Sequence, residues 1–278
     1  MLFRFIARKY LTDIAPERNL NLTLIPQVLA NSAADLLTAA ETVRAMGYTE
    51  LNWNLGCPFP MVTKRLLGAG LLPYPDTIDH ILTDFEVNTD ISLSIKMRLG
   101  LEFEEEVWQV IDVLNRHRIK EVIVHPRIGR QMYTGPTNQT IIGLIAKKLT
   151  LPMAYNGDII TPEQTAALLA SNPQINHIMI GRGLLQNPFL ALQIKGAISS
   201  AQPPRNQLLE FVGSISEQQL GRLQGAGHFI AKMTSYWEYW SQLFADQHKA
   251  LKLIKKCRTI ADYSVRMQEI IMNWDFTN

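Results

Sequence analysis

From residue 22 to residue 198, short apolar runs with strand patterning take turns with helical stretches, and no other feature of the chain narrows its fold as far. Strands are expected at 22–29, 50–54, 91–97, 121–125, 151–155 and 177–180. The second shows the period-2 pattern openly: Leu51, Trp53 and Leu55 alternate with Asn52 and Asn54 before Gly56 and Pro58 break the run. Helices are expected at 33–46, with Asn31 or Ser32 as cap, and at 77–85, 104–115 and 141–148. Another opens at Thr161-Pro162-Glu163, with threonine as cap and proline in the first turn, and a last one covers 187–198. Strands that each lead into a helix call for a parallel sheet with helices outside it.

Two α/β architectures meet that requirement. One is a (β/α)8 TIM barrel, here N-terminally incomplete because two strands are missing at the front. The other is a doubly wound open sheet. The polar residues favour the barrel. Nearly every strand ends in a polar or glycine-rich cluster: Gln27; Asn54 and Cys57; Lys96 and Arg98; His125 and Arg127; Asn156 to Asp158; Gly181 to Gly183. A barrel brings all its strand ends to one face, whereas an open sheet uses one crevice and few ends. The chain has 278 residues and is 47% hydrophobic, which suits one barrel of roughly 250 residues with a small addition. Pro203-Pro204 marks a linker. Beyond it, 206–278 hold no strand alternation and no proline, and the spacing of Leu208, Phe211, Val212 and Ile215 predicts helices. The expected domains are a barrel over 1–200 and a small all-α domain over 205–278.

A net charge of +2 points to no partner by itself, so any nucleic-acid binding has to come from a local patch. Cys57 and Cys257 follow no metal-ligand spacing, so neither a metal site nor a disulfide framework is expected, and a reducing cytoplasm is the natural compartment. No apolar run approaches the roughly 20 residues that span a bilayer. The first residues carry a charge inside their apolar stretch and no cleavage-like site, unlike a signal peptide. Residues 2–7 are expected as a short strand or helical remnant and 15–21 as a loop.

Each strand end has a chemical reading and a plainer one. Asn156-Gly157-Asp158 and Gly181-Arg182-Gly183 would let backbone N–H groups approach a phosphate, helped by a following helix start; they would equally serve as tight turns. Lys96 and Arg98 fall on one face by period 2 and together ask for an anion, or else form a solvated rim. His125 beside Arg127 is a ligand contact or a structural histidine. Cys57, in a Gly-Cys-Pro turn at a strand end, is an exposed reactive thiol or an inert one. No histidine lies near it in sequence, so a hydrolytic nucleophile is less attractive than a proton donor to carbon. In the tail, Lys249, Lys252, Lys255, Lys256 and Arg258 come without an acid between them, near Trp237, Tyr239 and Trp240. They make a nucleic-acid surface or an ordinary solvated helix face.

Taken together, Asn54-Leu55-Gly56-Cys57-Pro58, Lys96-Met97-Arg98-Leu99-Gly100, Val124-His125-Pro126-Arg127, Tyr133-Thr134-Gly135-Pro136, Asn156-Gly157-Asp158-Ile159 and Ile180-Gly181-Arg182-Gly183 stand in an order and at intervals that resemble the tRNA-dihydrouridine synthase family. The match runs closely over 22–195, and the helical tail resembles that family's tRNA-binding domain, leaning toward the bacterial C subgroup. The resemblance implies an FMN enzyme that reduces the C5–C6 double bond of specific uridines in tRNA, with NADPH as hydride source and Cys57 as the acid that protonates C5. It places Gln27, Lys96 and His125 at the isoalloxazine and Asn156, Gly157, Asp158, Gly181 and Arg182 along the ribityl phosphate. Asn54, Arg98 and Arg127 would hold the flipped-out uridine, since a stacked base cannot reach a flavin. Arg130, Tyr133, Lys252 and Lys256 would contact the RNA. A cytoplasmic monomer, with neither metal nor membrane partner, is expected.

The chain also departs from that family. No Ala-Pro-Met strand precedes Gln27, and Pro126 stands where the family carries glycine. A truncated chain, a fold completed differently and weak FMN binding are all compatible with the first departure. Two other functions stay open at this level: a flavin barrel acting on a small pyrimidine such as a dihydroorotate, and an inactive tRNA-binding homologue.

Overall fold

A computed structural model describes residues 8–198 and 202–277; the expectation for 2–7 lies outside them. In chain order the elements are α1 (Arg8–Asp13), β1 (Gln27–Val28), α2 (Ala33–Ala45), β2 (Glu50–Leu55), α3 (Pro60–Thr63), α4 (Pro75–Asn88), β3 (Ser92–Gly100), α5 (Glu106–Leu114), β4 (Ile119–Ile128), α6 (Gln139–Lys148), β5 (Met153–Tyr155), α7 (Pro162–Ser171), β6 (Ile175–Ile178), α8 (Arg182–Gln186), α9 (Leu190–Ile194), α10 (Arg205–Leu220), α11 (Ala226–Trp240), α12 (Gln247–Lys256) and α13 (Ile260–Asn273). Two compact units emerge. One holds the described residues up to Gly157 together with Leu169–Met179, the other Asp158–Leu168 and Ile180 onward.

The first unit contains a parallel six-stranded sheet whose strands lie side by side in sequence order, β1 to β6. That order lacks the reversal that defines a doubly wound sheet. Register assigns the faces. Leu51, Trp53 and Leu55 lie level with Leu93, Ile95 and Met97, and the last two with Val122 and Val124. All of these are buried, on the side covered by α2, α4, α5 and α6. There α2 packs on β2, α5 on β3 and α6 on β4. Trp53 anchors this face, fully buried with its indole Nε1 donating to the Ala30 carbonyl at 3.0 Å. A fully buried large apolar side chain contributes about 1.5–3 kcal/mol, so this layer fixes register: a one-residue slip would turn the apolar set outward. Alternate positions fall on the opposite face, which is polar.

Several boundaries move from expectation for local reasons. The first strand shrinks from 22–29 to Gln27–Val28. Among the described residues it pairs with one neighbour, Pro26 removes a donor at its start, and Leu20 and Leu22 stay exposed. β3 and β4 run past their expected ends because pairing continues through Arg98 with His125 and Gly100 with Ile128. The helix expected at 187–198 shrinks to α9 at Leu190–Ile194, and the short α8, ahead of Asn187-Pro188, was not expected. Proline cannot donate the helical bond there, and the Asn187 side chain accepts from Phe189 N at 3.0 Å to open α9. Ser32 and Thr161 do cap their helices, accepting from Asp35 N and Gln164 N.

The helices from α10 to α13, expected as a domain of their own, lie in the second unit. They close over a core of Leu208, Val212, Phe229, Met233, Trp237, Phe244, Tyr263 and Ile270. Arg205 ties the first of these helices to the last, donating to the carbonyls of Ile271 at 2.6 Å and Trp274 at 2.7 Å. Among the described residues no helix is long and apolar enough to cross a membrane.

Candidate active site

The polar face of the sheet is a continuous surface. Gln27 lies level with Asn52, Asn54 with Lys96, and Arg98 with His125. A chain of amides starts it. Gln27 Nε2 donates to Asn52 Oδ1 at 2.8 Å, Asn52 Nδ2 to Ser94 Oγ at 3.0 Å, and Asn54 Nδ2 to Gln27 Oε1 at 2.7 Å. Asn54 Oδ1 then accepts the backbone N–H groups of Gly56 and Cys57, both at 2.9 Å. Asn54 therefore holds the turn that presents Cys57. The thiol is free and half-buried.

A second support for that turn was not foreseen. Gly68 sits at φ +57°, and a Cβ there would stand 2.6 Å from the Cys57 carbonyl oxygen and 2.8 Å from its Cβ. Ala69 N donates to the same carbonyl at 3.0 Å. The signal was legible as Gly68-Ala69-Gly70, but the clash that demands glycine is tertiary. Asn52 and Ser94 were also missed, though they share the period-2 face of Asn54 and Lys96.

Beyond the amides the face turns basic. Burial, followed by repulsion from Arg98, lowers the Lys96 ammonium from 10.5 to about 8. Among the described residues the Lys96 ammonium makes neither a hydrogen bond nor an ion pair. Arg98 is only 2% exposed, and burial pulls its pKa down as well, opposed mainly by Tyr133. It donates to the Ile128 carbonyl at 2.8 Å, and its guanidinium lies 5.2 Å from the Tyr133 ring centre. A thiolate at Cys57 would favour the charged forms of both Lys96 and Arg98, so the three side chains share one electrostatic neighbourhood.

Arg127, equally buried, donates to the Gly135 carbonyl at 3.1 and 2.6 Å and to His125 Nε2 at 3.2 Å. A guanidinium has no lone pair to offer, so Nε2 accepts, and that bond requires Nε2 to carry no proton. Arg127 thus orients His125 and fastens the Tyr133 loop. In that loop Met132 takes a φ of 51°, uncommon for a non-glycine residue. Arg130 is exposed and ion-paired with Glu102.

At the end of β5 the Asn156 side chain donates to the Met179 carbonyl at 2.9 Å. A Cβ on Gly157 would meet the Tyr155 hydroxyl at 1.9 Å, so backbone alone fits that turn. In the second unit Arg182 Nη2 donates to Asp158 Oδ1 at 2.6 Å. Gly181 has open space around it, while Gly183 packs too closely on the Ile159 carbonyl to bear a side chain. On α12 the exposed Lys252 and Lys256 lie opposite the buried Ala250 and Ile254. Neither lysine has an ion-pair partner among the described residues. Lys255 lies 3.7 Å from Glu238, and Lys249 lies 5.1 Å from the Trp274 ring. No group of three or more metal-ligating side chains is found among the described residues.

The profile of the family described as Dihydrouridine synthase (Dus) matches residues 5–271. A probable tRNA-dihydrouridine synthase of Rhodobacter capsulatus is 29% identical over 69% of this chain and 59% of its own. The tRNA-dihydrouridine synthase B of Shigella flexneri is 27% identical over 64% of this chain and 56% of its own. That of Shewanella oneidensis is 28% identical over 70% and 58%. The chain thus spans a little over half the length of these relatives, and two of them carry the B name where the tail leaned toward C. Among solved structures, a nitroalkane oxidase of Streptomyces ansochromogenes aligns at 12% identity and a TM-score of 0.31, over 56% of this chain and 57% of its own.

Proposed function

The chain belongs to the dihydrouridine synthase family, and from that premise we propose that it reduces the C5–C6 double bond of specific uridines in tRNA. The sheet would be six strands of a barrel wall and 205–278 a tRNA-binding domain. One observation carries the reading: Lys96, a half-buried ammonium without a partner among the described residues, lies beside buried Arg98 and within the electrostatic reach of Cys57. A buried cation needs a compensating anion, and the electron-rich pyrimidine edge of a flavin suits the site. The amides of Gln27 and Asn52 and the side-chain-free Gly157 fit the same group.

FMN, reduced by NADPH, supplies hydride to the uracil ring when bound. Lys96, Gln27 and His125 would hold its isoalloxazine and Asn156 and Gly157 the adjoining chain; assigning Asp158, Gly181 and Arg182 to the phosphate rests on the resemblance. Cys57 donates a proton to C5 as hydride reaches C6, so the ring gains one hydrogen at each carbon. Asn54 contributes by fixing the Cys57 turn. Arg98 and Arg127 would favour the uracil carbonyls, where electron density gathers during reduction.

The test is NADPH oxidation by the purified chain with FMN and an unmodified tRNA transcript. Oxidation should accelerate when the transcript is added, and Cys57→Ala should keep its flavin absorbance while losing that acceleration. Equal rates with and without tRNA would refute the reaction; full turnover by Cys57→Ala would refute the acid.

A further inference from the structure

We propose that Phe59 is a stacking platform for a nucleobase neighbouring the target uridine, an inference that rests on the reading of the chain as acting on tRNA. Phe59 lies two residues beyond Cys57, and 51% of it is exposed. A phenylalanine ring has no polar tip to account for such exposure, unlike a tyrosine. Its backbone is fixed, because its carbonyl accepts from Val62 N at 2.8 Å and Thr63 N at 3.0 Å to open α3, with Pro60 at the first position. The ring is therefore presented on a short rigid element and not on a loose loop. It stands 6.5 Å from the half-exposed Tyr133 ring, tilted by 56°, and Tyr133 in turn lies against the Arg98 guanidinium. Met61, 85% exposed, extends the apolar rim.

An aromatic pair beside a thiol could suit an apolar peptide as well as RNA. Charge decides between them, for the Arg98 guanidinium behind the Tyr133 ring favours a polyanion. Every nucleobase offers a π-face, so a ring here would grip the strand without reading its sequence. Phe59 would then act as a positioning residue, holding the RNA while the uridine is presented to Cys57.

Binding of an unmodified tRNA transcript to the full FMN-loaded chain, followed by fluorescence anisotropy, tests this with three variants. Phe59→Ala and Phe59→Leu should weaken binding by about 5- to 160-fold, the range of one lost base stack, while Phe59→Trp stays within about twofold. Flavin uptake should not change in any of them. Leucine keeps the apolar bulk and removes only the π-face, so a Phe59→Leu protein that binds like the parent overturns the inference, as does a parent that does not bind tRNA. Phe59-dependent binding without dihydrouridine would uphold the platform and sink the proposed reaction. Dihydrouridine formed equally well by Phe59→Leu at limiting tRNA would do the reverse.

Discussion

Lys96 is where single residues say most. Its pKa is held at about 8 in the folded chain against 10.5 ordinarily. Below pH 8 the fold therefore carries a poorly solvated ammonium. Between about 8 and 10.5 the unfolded chain binds the proton more readily than the folded one, so stability rises with pH across that window. The full shift corresponds to roughly 3 kcal/mol. Lys96→Met should accordingly stabilise the flavin-free protein by about 1–3 kcal/mol at pH 7 and flatten this rise, as urea titrations at several pH values would show. A bound anion reverses the preference, so FMN affinity should fall as pH climbs through 8 and should drop in Lys96→Met. An FMN affinity indifferent to both would detach Lys96 from the flavin. Period 2 made Lys96 and Arg98 legible in the sequence, and a strand end made His125 and Arg127 so. What they touch was not, because the Arg127 bonds to Gly135 and His125 depend on how a loop folds back.

Among the elements, the strand-to-helix turns do most to position the site. The β2 turn is held by Asn54 from one side and Gly68 from the other. Gly68→Ala would combine a left-handed φ with a contact on the Cys57 carbonyl, and should cost at least about 2 kcal/mol in thermal or urea unfolding. The β3 turn uses another device: the Glu106 carboxylate accepts from Leu101 N at 2.8 Å and from Glu102 N and Phe103 N at 3.0 Å each. Glu106→Ala should cost about 1–3 kcal/mol, since three backbone donors lose a charged acceptor. Hydrogen exchange at 101–103 would accelerate if this is right and stay unchanged if it is not. Sequence located these turns through their glycines and polar residues. It located strand ends less well, since β3 and β4 continue through Arg98 and through His125-Pro126-Arg127 to Gly100 and Ile128. At β1 the expected apolar run of 22–29 pairs over only two residues, because pairing depends on a neighbour and not on composition.

At the scale of the whole molecule, alternation was enough to anticipate a parallel sheet with helices outside it, and the spacing of apolar residues after 205 anticipated helices. The short α8 just after Gly181 was not anticipated, because five residues are too few for a helical period to show. The basic helix α12 leads to a prediction at this scale. Lysines that meet phosphates release counterions, so Lys252→Ala with Lys256→Ala should weaken tRNA binding and lower the slope of log affinity against log salt by about 1.5–2. A slope equal to the parent's would leave those lysines as a solvated face. The central claim is that this chain reduces uridine in tRNA, and nucleoside mass spectrometry tests it most directly. After incubation with FMN and NADPH, an unmodified transcript should contain uridine heavier by the mass of two hydrogens, formed by the parent chain and not by Cys57→Ala; a transcript whose uridines all keep their original mass would contradict the account.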